Sequence, residues 1–246
     1  MNPYRYDFHI HSCLSPCGED DMTPANIAGV GALVGLQIMA LTDHNTCKNC
    51  PAFFRAAKRY GIVPVPGMEL TTAEDIHVVC LLPSLEAALD FDREIERRRM
   101  PIPLNERIFG RQLIMDEEDH VVGTDPHFLL PATDVMIDDV PALVDRFGGV
   151  SYPAHVDREA NGVIATLGTF PDIPGFLNAE FYDGTKKEAY FRDHPALRSR
   201  RILVSSDAHN LWSIREENES LTLEDEPYSS ELVRIELIRF LKGEKA

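Results

Sequence analysis

The chain has 246 residues, 44% of them hydrophobic and 26% charged, enough for one large or two small domains with buried cores, which excludes a disordered chain or a disulfide-framed miniprotein. Its 24 basic residues against 40 acidic ones leave a net charge of −16, so anionic membranes and duplex phosphate backbones are expected to be repelled and no stable duplex binding is expected. The longest near-apolar run, 27–41, is 15 residues with three glycines inside it, short of the ~20 that a membrane span needs.

Residues 1–7 carry two tyrosines, an arginine and an aspartate in place of an apolar leader core, so export is not expected. Five cysteines, an odd number, fit reduced thiols and a cytoplasmic chain better than a disulfide framework. Strands are predicted at 4–11, 37–42, 62–67, 76–82, 149–154, 176–182 and 202–206. Helices are predicted at 24–36, 51–60, 85–99, 137–147 and about 186–198. That alternation argues for an α/β fold with a mostly parallel sheet, and seven strands favour closure into a barrel over a small open sheet. Residues 100–130 break the rhythm: two short apolar runs flank the acidic turn Asp116-Glu117-Glu118-Asp119, which reads as an inserted hairpin serving as a lid or decoration. An amphipathic closing helix, capped by Ser229 or Ser230 and stopped by Gly243, completes a single domain over 1–246.

The histidines carry the chemistry. His9 and His11 stand at i and i+2, so a strand that alternates its side chains sends both imidazoles to one face. Other predicted strands end alike: Asp43-His44 after 37–42, Glu69 after 62–67, His155 after 149–154, and Asp207-Ala208-His209 after 202–206. In α/β folds these carboxyl ends surround the ligand crevice. His77 falls near the start of its strand, and reaches the same place only if that strand runs the other way or is bounded differently. His120, His127 and His194 fit no such pattern and read as surface residues.

His9-x-His11, Leu41-Thr42-Asp43-His44, Pro66-Gly67-Met68-Glu69, His77, Ala154-His155 and Ser206-Asp207-Ala208-His209 together resemble the PHP (polymerase and histidinol phosphatase) superfamily. The resemblance implies a distorted seven-stranded β/α barrel whose strand ends hold two or three divalent ions, zinc, manganese or iron, for hydrolysis of phosphate esters. It implies one ion on His9, His11, Glu69 and Asp207, a second shared through Glu69 with His77 and His155, and a third on His44 and His209. The family's remaining ligand to the third ion falls here at Pro16 or Cys17. Cys17 is able to fill the role because a thiolate binds zinc well, with Glu19 or Asp20 as substitutes. A separate four-cysteine site from Cys13, Cys17, Cys47 and Cys50 is the alternative that spacing permits, and buried packing is the plainer reading of Cys13 and Cys47.

Two or three such ions make the crevice cationic inside an acidic protein and favour small phosphorylated substrates, a phosphomonoester or short nucleotide. A water bridging two ions then loses its proton near neutral pH and attacks phosphorus in line. Asp207 and Glu69 are the catalytic carboxylates of this reading. Arg158, three residues past His155, is the candidate phosphate clamp, with Lys186 and Lys187 behind it. An amidohydrolase-type binuclear hydrolase and a metal-stabilised regulatory module are the alternatives. The first would need a bridging carboxylated lysine where Glu69 stands, and the second a missing ligand.

Overall fold

The computed structural model describes residues 2–215, 219–224 and 229–244. Ten strands run in chain order: β1 (Asn2–Asp7), β2 (Ile38–Leu41), β3 (Val63–Thr71), β4 (His77–Leu81), β5 (Leu113–Met115), β6 (Val121–Thr124), β7 (Val150–Pro153), β8 (Asn178–Phe181), β9 (Arg201–Val204) and β10 (Ser220–Leu223). The helices are α1 (Pro24–Leu33), α2 (Cys50–Arg59), α3 (Leu85–Glu96), α4 (Glu106–Phe109), α5 (Val140–Asp145), α6 (Val163–Leu167), α7 (Lys187–Asp193) and α8 (Ser230–Leu241). Among the described residues no helix is long and apolar enough to cross a membrane.

Each of the seven runs predicted as strand overlaps one, with β1 starting earlier, β3 running on to Thr71 and β9 starting at Arg201, but their pairing corrects the expected architecture. A curled sheet has the order β10-β1-β2-β3-β4-β7, and β8 and β9 form a separate parallel pair. The fold is therefore mixed α/β: β1, β2 and β3 run parallel, whereas β4 is antiparallel to both β3 and β7. The reason is the connection between β3 and β4, which spans only residues 72–76, too short for a parallel crossover. The seven runs do not close as one continuous ladder. β10, which hydrophobic patterning did not reveal, takes the outer edge of β1, while β7 meets β8 through the Val156 N–H on the Glu180 carbonyl at 2.8 Å. On the other side, Ile10 bridges Ala208 in parallel beyond the ends of β1 and β9.

Alternation along the strands divides the core in two. Tyr4, Tyr6, Phe8, Ile38, Ala40, Val63, Val65, Val79, Leu81 and Tyr152 pack on one face with Val233, Leu237 and Leu241 of α8. Met39, Leu41, Met68, Val78 and Cys80 face the other way, against Ile27, Phe53 and Phe91 of α1 to α3. The predicted cap of α8 is Ser229, whose side chain accepts the Leu232 N–H, and Gly243, at φ +69°, ends the helix in the left-handed region where glycine costs least. Arg234 of α8 donates to the carbonyls of Pro64 and Pro83, and the Leu241 carbonyl accepts from Asn178. Because Pro64 and Asn178 lie at the starts of β3 and β8, α8 covers the end of the sheet opposite the histidines.

The predicted hairpin is β5 paired antiparallel with β6. Its acidic turn is seated on the helices: Asp119 accepts from Thr23 Oγ1 at 2.6 Å and the Ala25 N–H at 3.0 Å, while Arg55 and Arg59 pair with Glu117 and Glu118. Beneath the insertion, the Asp125 carboxylate is buried against Lys48 Nζ at 2.7 Å and the Arg99 guanidinium at 3.5 Å.

Candidate metal centre

β1 ends at Asp7, so His9 and His11 lie just past its ladder and not within it as predicted. The segment stays extended because the Ile10 carbonyl accepts from the Thr42 N–H and the His11 N–H donates to the Ala208 carbonyl, both at 2.9 Å. The i, i+2 geometry survives: the two Nε2 atoms stand 3.1 Å apart. The reversed direction of β4 explains His77. It begins that strand opposite Thr71, and so sits at the same end as the carboxyl termini of the parallel strands.

Glu69 is the hub. Its Oε1 lies 3.1 Å from His9, 2.9 Å from His77 and 3.1 Å from His155, and its Oε2 lies 3.2 Å from His11 and 3.0 Å from His44. Asp207 Oδ1 is 3.4 Å from His9 Nε2 and 3.2 Å from His11 Nε2, while its Oδ2 accepts from Arg158. His209 Nδ1 faces the Asp207 carbonyl at 2.8 Å. All of the carboxylates and most of the rings are buried, around a cavity of about 200 Å³ that Cys17, Leu130, Arg158 and Asn161 also line. Asn45, His155 and Asp207 hold positive φ values of 52°, 26° and 49°, a conformation that costs a non-glycine residue energy and that surrounding structure must enforce. Three strained positions around one buried cluster mark it as a built site.

Three sets of ligand atoms lie within 4.8 Å of one another: His9, His11, Glu69 and Asp207; His44, Glu69 and His77; and His11, Cys17, His44 and His209. Cys17 Sγ thus reaches the histidine cluster from an exposed loop residue. The four-cysteine alternative is corrected, because the four side chains part company. Cys13 is buried against Leu113 and Met115 of the hairpin, and Cys47 and Cys50 direct their thiols at the Gly67 carbonyl. Burial raises the thiols of Cys13, Cys47 and Cys17 alike, so it is the contacts, and not the protonation state, that set the packing cysteines apart from Cys17. His120 is exposed, and among the described residues neither His127 nor His194 joins a candidate ligand group. Lys186 and Lys187 are turned toward Asp157 and Glu219.

The electrostatics suit cations. Burial opposes a charged His9, but Glu180, Glu69 and Asp207 outweigh it and hold the ring well above the ordinary histidine value. The same contest raises His11 to about 9, where burial opposes the charge and the Asp207 and Glu69 carboxylates beside the ring overcome it. Burial favours the neutral carboxyl of Glu69, yet His77, His9 and His44 hold it well below the usual range. Burial, with His11 second, lowers His209 to about 4, leaving the neutral imidazole that ligates a metal. His44 Nδ1, Glu69 Oε2 and Asp207 Oδ1 are buried and have no hydrogen-bond partner among the described residues, although nitrogen and carboxylate oxygen approach within 3.0 to 3.4 Å. Ligand atoms crowded this closely, several of them unsatisfied, suit shared cations, and the set of imidazole, carboxylate and thiol fits transition-metal ions.

Sequence reasoning missed Glu180. Its Oε1 lies 2.7 Å from His9 Nδ1 and accepts the His155 N–H at 3.2 Å, so one carboxylate orients a ring and a backbone on two sides of the cluster. The available signal was the one charged residue in the predicted strand 176–182. Asp43 acts similarly on the opening loop, taking the Ser12 N–H, Ser12 Oγ and Ser15 Oγ at 2.7 Å each, while Ser15 Oγ reaches His11 Nδ1 at 3.1 Å.

Known structures share this fold. The lesion-specific endonuclease EndoQ from Pyrococcus furiosus is 16% identical over 98% of this chain with a TM-score of 0.69, and this chain spans 56% of that protein's length. A chain from Bifidobacterium adolescentis described provisionally as a metal-dependent phosphoesterase is 18% identical, with 83% and 87% coverage of the two chains and a TM-score of 0.55. An amidohydrolase from Chromobacterium violaceum is 16% identical, with 89% and 92% coverage and a TM-score of 0.59. No curated protein sequence matches the chain. Endonuclease Q has also been seen with a 27-mer duplex whose abasic lesion lies at the active site, at 15% identity, a TM-score of 0.67 and coverage of 98% of this chain and 57% of that one. That finding overturns the exclusion of duplex nucleic acid drawn from net charge. A sum over the whole surface does not describe the local field at a cavity mouth, since charges beyond ~8 Å are largely screened. The PHP domain model matches residues 7–135, more than half of the sequence, and this chain belongs to the PHP domain family.

Proposed function

We propose that this chain is a metal-dependent hydrolase of phosphate esters and that nucleic acid is among its substrates. The observation that supports the reading best is the crowding of buried, unsatisfied imidazole and carboxylate atoms around Glu69 at the strand ends. In this reading β1, β2, β3, β4, β7, β8 and β9 are the staves of one distorted barrel domain over 1–246, and the 100–130 insertion shapes its mouth through Leu130. His9, His11, Glu69 and Asp207 would hold one ion, Glu69, His77 and His155 a second, and His44, His209 and Cys17 a third, drawn from zinc, manganese or iron.

Bound divalent ions supply Lewis acidity and lower the pKa of water. The protein's own contribution is positional. Glu69 and Asp207 supply the negative charge that retains cations in a buried place, and Glu180 fixes the His9 ring with Nε2 toward them. Arg158 reaches the cavity while stacked on Tyr182, its guanidinium 4.0 Å from the ring centroid, and is placed to take the phosphoryl oxygens of an ester. The likeness to EndoQ supports a phosphodiester in nucleic acid as the ester, and the likeness to the amidohydrolase keeps amide hydrolysis as the second reading.

The test is a panel on metal-analysed protein: p-nitrophenyl phosphate, histidinol phosphate, adenosine bisphosphate, single-stranded and abasic duplex oligonucleotides, and an amide series. Phosphate-ester turnover that chelation abolishes and zinc or manganese restores is expected. Turnover of amides alone, or no metal bound and no activity regained, would overturn the assignment.

A further inference from the structure

We infer that Trp212 and Arg215 form a stacking subsite for a base next to the phosphate at the metal centre, an inference that rests on the phosphoesterase reading above and names its substrate as a nucleic-acid strand with an accessible base. Trp212 is the chain's one tryptophan and is 95% exposed, and Leu33 beside it is 87% exposed. Together with Val30, Val34 and Leu211 they line a groove of about 750 Å³. Full exposure of an indole is unusual for a residue whose large apolar faces gain from cover. The backbone turn that carries Trp212 is capped: the Asn210 side chain accepts from the Ser213 N–H at 3.0 Å and Ser213 Oγ at 2.9 Å.

What commits the groove to a nucleic acid is its connection to the metal centre. Trp212 stands three residues after His209. Arg215 lines the groove, donates to the Tyr182 carbonyl at 2.8 Å and lies 4.5 Å from the Tyr182 ring centroid. Arg158 lies against the same ring and lines the metal cavity. Both guanidiniums thus lie against the Tyr182 ring, which links the groove that Arg215 lines to the cavity that Arg158 lines. A phosphodiester strand alternates apolar bases with anionic phosphates, which matches the exposed indole of Trp212 followed by the cationic groups that lead past Tyr182 to the cavity. An apolar peptide offers no repeating anion for the arginines. Asp21 at the groove's rim adds a like charge, which makes binding depend on salt.

Because Trp212 is the single indole, its emission reports the contact directly. A short single-stranded oligonucleotide titrated into the full chain is expected to quench that emission, and an abasic strand of the same length to bind without quenching. By anisotropy of a labelled strand, Trp212→Ala should bind about 10- to 100-fold more weakly and Trp212→Phe close to wild type, since a phenyl ring still stacks. Hydrolysis of p-nitrophenyl phosphate should be unchanged in both variants. Binding without quenching, equal affinity of Trp212→Ala and wild type, or no binding of any strand would each overturn the subsite. Emission that moves with protein concentration and not with oligonucleotide would assign the groove to a second copy and overturn it as well. Quenching by a strand in a protein that hydrolyses no phosphate ester would refute the catalytic reading and leave the subsite standing.

Discussion

Glu180 offers the sharpest test of how the centre is built. Replacing it by alanine removes the acceptor that faces His9 Nδ1 at 2.7 Å and the acceptor of the His155 N–H at 3.2 Å, both in the buried interior. A hydrogen bond to a charged group contributes about 1.5–3 kcal/mol. Loss of an orienting carboxylate behind a metal-ligating histidine costs about 10- to 100-fold in metal affinity, which at ~1.4 kcal/mol per decade covers much the same range. Serving two groups places Glu180 toward the upper end, so Glu180→Ala should bind zinc or manganese about 100-fold more weakly than wild type. Glu180→Gln keeps an acceptor oxygen of the same reach and should lose about 10-fold or less. Chelator-competition titration gives the affinities, and circular dichroism with melting in excess chelator shows that the fold persists without the ion. Equal affinity in wild type and in both folded variants would refute the argument that this carboxylate orients the cluster.

Asp207→Asn should nearly abolish turnover while leaving the melting temperature of the chelated protein close to wild type, because an amide is a far poorer ligand than a carboxylate; wild-type kcat in this variant would remove Asp207 from the centre. Cys17→Ser should lose about one metal equivalent by elemental analysis and Cys17→Asp should regain part of it, while Cys13→Ser and Cys47→Ser keep the full content; equal metal in wild type and Cys17→Ser would make Asp20 the next candidate. Burial favours the neutral form of Asp125, but Lys48 and Arg99 hold its carboxyl below the usual range. The stability this pair adds is therefore fully present above the unfolded value near pH ~3.9 and is lost as the pH falls through the lower folded value. Asp125→Asn should be about 2 kcal/mol less stable at neutral pH, with the two denaturation curves converging in acid; a constant gap down to low pH would refute the pairing argument.

The sequence by itself determined the elements and the direction of the chemistry. Local physics was sufficient there: period-2 apolar runs made the strands, Ser229 and Gly243 bounded the last helix, and i, i+2 spacing put His9 and His11 on one face whether or not the ladder reached them. Placing His44, His155 and Asp207 just past strand ends was enough to bring them together with Glu69, which the longer β3 keeps near the end of its ladder, because parallel strands share an end. Tertiary structure decided what spacing leaves free. The five-residue link after β3 turned β4 around and carried His77 to the cluster, and β10 joined the sheet through pairing with β1, a contact between segments over two hundred residues apart. Glu180, read from its neighbours, is the single charge of its strand; only the approach of β8 to the loop carrying His9 makes it an orienting group. Net charge misled for the same reason, since −16 sums a surface on which Arg158 and Arg215 are brought together against Tyr182 from positions 57 residues apart.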